Sequence, residues 1–131
     1  MYTANHVIPL FLRAFPEWKS SLKDEKMPGV DDIPGIYNKL SILAQYIVDA
    51  YKVGKTDDFP KLFNTLELLI REGDEKAREL IMIGFIEVLQ SIALNETFGL
   101  DSFKPWLKEE SLRSWNEIAK FWKGKNPPGR V

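Results

Sequence analysis

Few residues in this chain are of the types that do covalent or acid–base chemistry, and their spacing does not assemble them. The one histidine, His6, has no second imidazole to work with, and the absence of cysteine removes thiol nucleophiles, thiolate metal sites and disulfides together. A metal-binding helix needs ligands spaced as in H-E-x-x-H or E-x-x-H, and neither pattern occurs. The G-x-x-x-x-G-K-[ST] and G-x-G-x-x-G loops that cradle phosphates are missing as well. The sequence therefore predicts no catalytic residue, no metal ligand, no cofactor and no enzyme activity. His6 reads as a solvated or helix-capping residue.

Charge is the remaining chemical resource. The 18 basic and 19 acidic residues leave a net charge of -1, which gives the whole molecule no attraction to nucleic acid or to an anionic membrane. Locally the balance shifts. Between Thr56 and Leu80 seven carboxylates stand against four cations, and from Leu100 to Val131 seven cations stand against four carboxylates. Asp57, Asp58, Glu67, Glu72, Asp74, Glu75 and Glu79 are the candidate partner-binding residues, because an acidic face suits a basic partner. Capping of helix N-termini is the alternative role for Asp57 with Asp58 and for Asp74 with Glu75. In the basic part, WNEIAKFWKGK interleaves tryptophan and lysine as a single-strand nucleic-acid binder does, but Trp115, Ile118, Ala119 and Trp122 share one helix face, which reads as core. Trp106 is a binding anchor if exposed and a packing residue against Phe103 and Leu107 otherwise.

These residues must be held by helices, since apolar residues recur at helical spacing and strand alternation with hairpin turns is absent. The spacing predicts an all-α, single-domain bundle of five to six helices over residues 1–124, with 125–131 a mobile tail. Helices are expected from about Thr3 to Ala14, Glu17 to Lys23, Ile36 to Lys52, after Asp57 or Asp58 to Gly73, Glu75 to Leu94, and Leu112 to Trp122 capped by Ser111. Pro28, Gly29, Pro34 and Gly35 mark a loop, and Gly73 is placed to end its helix in a left-handed conformation. No signal-peptide pattern and no long apolar run appears, so a cytoplasmic protein is expected.

The helix from about 75 to 94 is the predicted centre, with eleven of the fifteen residues from Leu80 to Leu94 apolar. At 100° per residue Gly84, Glu87, Ser91 and Asn95 form a narrow strip along it. Gly84 admits a neighbouring helix closely. Glu87 is expected to be buried and hydrogen-bonded, ordering the bundle, with a partner-contact or catalytic role as the alternative.

The run FNTLELLIREGDEKARELIMIGFIEVLQ followed by FKPWLKEESLRSWNEIAKFW resembles a family of small bacterial all-helical proteins. Its members share a helix ending in GD, a G-x-x-E in the next apolar helix, and a terminal S-x-x-x-W followed by FW. Here those positions are Gly73 and Asp74, Gly84 and Glu87, Ser111 and Trp115, and Phe121 and Trp122. Such proteins resemble immunity proteins of polymorphic or contact-dependent growth-inhibition toxins. The resemblance implies a non-enzymatic inhibitor that binds a cognate toxin domain, a nuclease among the options, and blocks its active or substrate-binding surface. The motif residues themselves read as structural. A helical adaptor with another protein partner is the second class, and a nucleic-acid binder using the basic C-terminal third is the third.

Overall fold

Thr3 opens the first helix from an extended backbone, and Nδ1 of His6 turns back to accept its N–H at 2.9 Å. That satisfies one of the groups a helix end leaves open. In the computed structural model, which describes residues 1–22 and 32–123, this helix is α1 (Ala4–Ala14). It buries Val7, Ile8, Phe11 and Ala14. Pro16 then starts a 3-10 helix (Pro16–Leu22) that buries Trp18 and Leu22.

Helix α2 spans Ile33–Lys52 and begins earlier than the sequence predicts. Asp32 caps it, its carboxylate accepting the Gly35 N–H at 2.8 Å, so Pro34 and Gly35 form the first turn instead of a loop. A proline costs nothing there, because its missing N–H would have no partner. The expected stripe of Ile36, Leu40, Leu43 and Ile47 is buried, while Tyr51 is half-buried.

Helix α3 (Phe59–Glu72) is followed at once by α4 (Glu75–Glu79). The glycine between them is not left-handed: Gly73 has φ -80° and ψ 151°. Its lack of a side chain matters for another reason. A Cβ would collide with the carbonyl oxygen of Leu69 and approach Ala77 Cβ at 3.1 Å. The chain's first residues also press on this junction, with Tyr2 donating to Glu72 O at 2.8 Å and accepting from Asp74 at 2.7 Å.

The central helix runs from residue 75 to 94 as predicted, but in three segments: α4, a π-helical stretch (Leu80–Ile86) and α5 (Glu87–Leu94). A π turn holds more residues than the 3.6 of an α turn, so it shifts the phase of everything after it. The strip drawn from Gly84 to Asn95 is broken for this reason. Gly84 is buried against α2, where a Cβ would lie 2.8 Å from Tyr37 Cδ1 and 3.1 Å from Leu40 Cδ1. Glu87, expected to be buried and hydrogen-bonded, is only half-buried and has no hydrogen-bond partner among the described residues. The buried polar residue on this helix is instead Gln90, whose Nε2 donates to the Trp115 carbonyl at 2.9 Å.

A second 3-10 helix (Leu100–Trp106) carries Phe103 and Trp106 into an aromatic cluster with Tyr51, Phe59 and Phe63. Trp106 therefore packs and is not a free anchor. Helix α6 (Glu109–Lys123) packs on α3 and on the π stretch. Trp115 is fully buried, whereas Trp122, also expected in the core, is half-buried. The fold is an all-α single-domain bundle, and among the described residues no helix is long and apolar enough to cross a membrane. The expected tail at 125–131 lies outside the described residues.

Candidate protein-docking groove

The acidic residues singled out in the sequence do not form one face. Asp57 and Asp58 precede α3 and Glu72 ends it, a separation of about 21 Å along a helix rising about 1.5 Å per residue. At the far end, Asp74 is used as a helix cap, its Oδ1 accepting the Ala77 N–H at 2.9 Å. Glu79 is paired with Lys76 at 2.8 Å, and its hydrogen bond and charge hold the Lys76 ammonium above the usual lysine range. Glu72 and Glu75 are exposed and belong to that end as well.

Glu67 departs furthest from its expected role. Its side chain is buried, and its two oxygens accept the Ser111 N–H at 2.7 Å and the Glu110 N–H at 3.1 Å. These are the second and third amides of α6, so α3 supplies the cap for a helix whose bonded amides lie 43 and 44 positions later. Ser111, expected to be that cap, sits one turn inside and accepts the Lys108 N–H on its hydroxyl at 2.8 Å. Burial pushes the Glu67 carboxyl up. The Ser111 and Glu110 amides, the Ser111 hydroxyl and the Arg71 guanidinium outweigh that push and leave it below the ordinary value. Glu67 is thus a structural anchor, unavailable to a partner.

A different set of residues forms a concave surface. Phe15 closes α1, and its N–H still reaches Phe11 O at 2.8 Å, so the chain turns sharply into the 3-10 helix that carries Glu17 and Ser21. Opposite lies the last part of α2. Tyr46, Asp49, Ala50 and Val53 are spaced i, i+3, i+4 and i+7, which puts them on one helix face. Gly54, with φ +78°, ends α2 in a left-handed cap. Its N–H bonds Tyr51 O at 3.1 Å, and the Lys55 N–H bonds Ala50 O at 2.9 Å. This paired bonding fixes the backbone direction from which Lys55 and the Thr56–Asp58 turn project.

Between these walls is a groove of about 450 Å³ lined by Phe15, Glu17, Ser21, Tyr46, Asp49, Ala50, Val53 and Lys55. A second hollow of about 280 Å³ shares Phe15, Glu17 and Lys55 with it and extends to Asp57 and Asp58. The floor is aromatic and aliphatic: Phe15 meets the Tyr46 ring edge-on at 5.3 Å, and Val53 is 68 % exposed. Four carboxylates and one ammonium stand around it.

Several surface carboxylates are paired with a nearby cation, as in Lys52–Glu96, Lys104–Asp101, Arg113–Glu110 and Lys120–Glu117. Among the described residues Glu17, Asp49, Asp57, Asp58 and Lys55 make no ion pair, and Asp49 accepts only from Gln45 Nε2 at 3.0 Å. No group of three or more His, Cys, Asp or Glu residues among those described is placed to hold a metal ion. The arrangement can bind a cationic, partly apolar side chain. Of the predicted partner-binding residues it contains Asp57 and Asp58. Glu17 and Asp49 were missed, and the only local signal for Asp49 was its place beside exposed Val53 on the α2 face.

No match was found among curated proteins or among solved structures. Residues 8–123, nearly the whole described chain, match the family described as a domain of unknown function, DUF7674, and the chain belongs to that family.

Proposed function

We propose that this protein is a non-enzymatic, protein-binding immunity factor that neutralises a cognate bacterial toxin domain by covering its active or substrate-binding surface. The observation that carries the protein-binding part is the groove with an apolar floor and an acidic rim whose carboxylates make no ion pair among the described residues. An apolar floor supplies the area a partner must bury, and unneutralised charge at its edge speeds encounter and fixes orientation. A basic toxin domain, such as a nuclease with its cationic nucleic-acid surface, suits that rim. The toxin itself enters through the resemblance carried by Gly73, Asp74, Gly84, Glu87, Ser111, Trp115, Phe121 and Trp122. In this reading the two proteins meet in the cytoplasm.

The test is co-expression with the product of the adjacent upstream gene, scoring growth rescue and co-purification. Rescue together with a stable complex is expected. Co-purification without any growth effect of the neighbouring gene alone replaces the immunity reading with a helical adaptor. Neither rescue nor co-purification removes the neighbour as its target.

A further inference from the structure

Resting on the protein-binding reading above, we infer that the groove between the first 3-10 helix, the end of α2 and the start of α3 seats an arginine-bearing segment of the protein partner. The floor and the rim ask for different things, and one side chain satisfies both. Val53 and the Tyr46 ring offer apolar and aromatic surface, while Glu17 and Asp49 line the same hollow as carboxylates that make no ion pair among the described residues. An arginine lays an aliphatic stem along apolar surface, stacks its planar guanidinium on an aromatic face and bonds carboxylates through two parallel N–H groups. A lysine ammonium is more strongly hydrated and presents no plane, so it fits the floor less well.

The second hollow extends the same chemistry. Asp57 and Asp58 lie there with Glu17. A segment with a second cation spans both hollows. Lys55 lines each of them, makes no ion pair among the described residues, and opposes an incoming cation. Its place in the fold depends on its backbone N–H and not on its side chain. Charge reversal at Lys55 therefore separates docking chemistry from stability. Nucleic acid and anionic lipid are disfavoured by the same four carboxylates.

The experiment titrates the full chain, labelled for amide NMR, with the blocked peptide Gly-Arg-Val-Arg-Gly and with its lysine counterpart at low and high salt. Shifts are expected at the amides of Tyr46, Asp49, Val53, Lys55 and Asp58, with the arginine peptide tighter than the lysine one. Lys55→Glu should tighten arginine-peptide binding by about two- to fivefold, in line with an exposed ion pair, and Glu17→Lys with Asp49→Lys should weaken it by about tenfold. Thermal melts establish that the variants fold. Should the double variant unfold, Lys55→Glu decides alone, and unchanged affinity overturns the inference. Shifts centred on another surface, or equal binding by all folded variants, overturn it too. The co-expression assay separates this inference from the toxin reading. If the wild type fails to rescue growth while the peptide results hold, the toxin reading falls and the groove stands. If the folded double variant rescues as well as the wild type, the groove inference falls and the toxin reading stands.

Discussion

Replacing Glu67 should loosen the last helix before it affects anything else. Its carboxylate accepts two amides of the first turn of α6, at 2.7 and 3.1 Å, and lies 3.4 Å from the Arg71 guanidinium. Ser111 is fully buried, so Glu67→Ala leaves its N–H without water as a substitute partner. A buried donor left unsatisfied costs about 1–3 kcal/mol, and loss of a helix N-cap typically costs about 1 kcal/mol. The two overlap, since the cap is these hydrogen bonds, which leaves about 1–3 kcal/mol in all. At about 3–4 °C per kcal/mol for a chain of this size, Tm should drop by roughly 3–12 °C. Glu67→Gln keeps one accepting oxygen and turns an amide donor toward the other N–H, so about half that loss is expected. The folded carboxyl has a pKa below its ordinary 4.5, so its contribution is fully present above that value and is lost as pH falls through the depressed folded value. The gap between wild type and Glu67→Gln, measured by urea unfolding, should thus be full at pH 7 and shrink below pH 4.5. Exposed Glu72→Gln serves as the control, expected within about 0.5 kcal/mol. If Glu67→Ala unfolds with Glu72→Gln, or if the Glu67→Gln gap persists unchanged into acid, the cross-capping account is wrong.

Gly84→Ala gains about 1 kcal/mol of helix propensity but forces a Cβ to 2.8 Å from Tyr37, and such overpacking costs about 1–3 kcal/mol. A small net loss is expected, growing steeply for Gly84→Val, as read by thermal melts. Trp115→Ala should cost about 3–5 kcal/mol in chemical denaturation, and the half-buried Trp122→Ala clearly less. An equal loss for the two would contradict their different burial. Glu87→Ala should stay within about 0.5 kcal/mol of wild type, because no donor depends on it among the described residues. A loss above about 1 kcal/mol would mean that Glu87 holds a partner after all.

The sequence by itself determined the helices and their buried faces. Ile36, Leu40, Leu43 and Ile47 recur at the helical period, Asp74 caps the turn that follows it, and Trp115 lies on an apolar face. Such information is local: a cap reaches three residues and a helix face repeats every turn. Only tertiary structure decided which carboxylates are free. Glu67 and Ser111 are 44 positions apart, and no spacing rule links a mid-helix glutamate to the first turn of a distant helix. The π stretch, which packs against α2, is likewise not marked by any local spacing, and it shifts the phase at a point where Glu87 comes out half-buried and Gln90 inside. The groove is the same kind of feature. Glu17, Asp49 and Asp58 come from three separate segments, and their charge is gathered in one place only because the end of α1 and the Gly54 cap turn those segments toward one another.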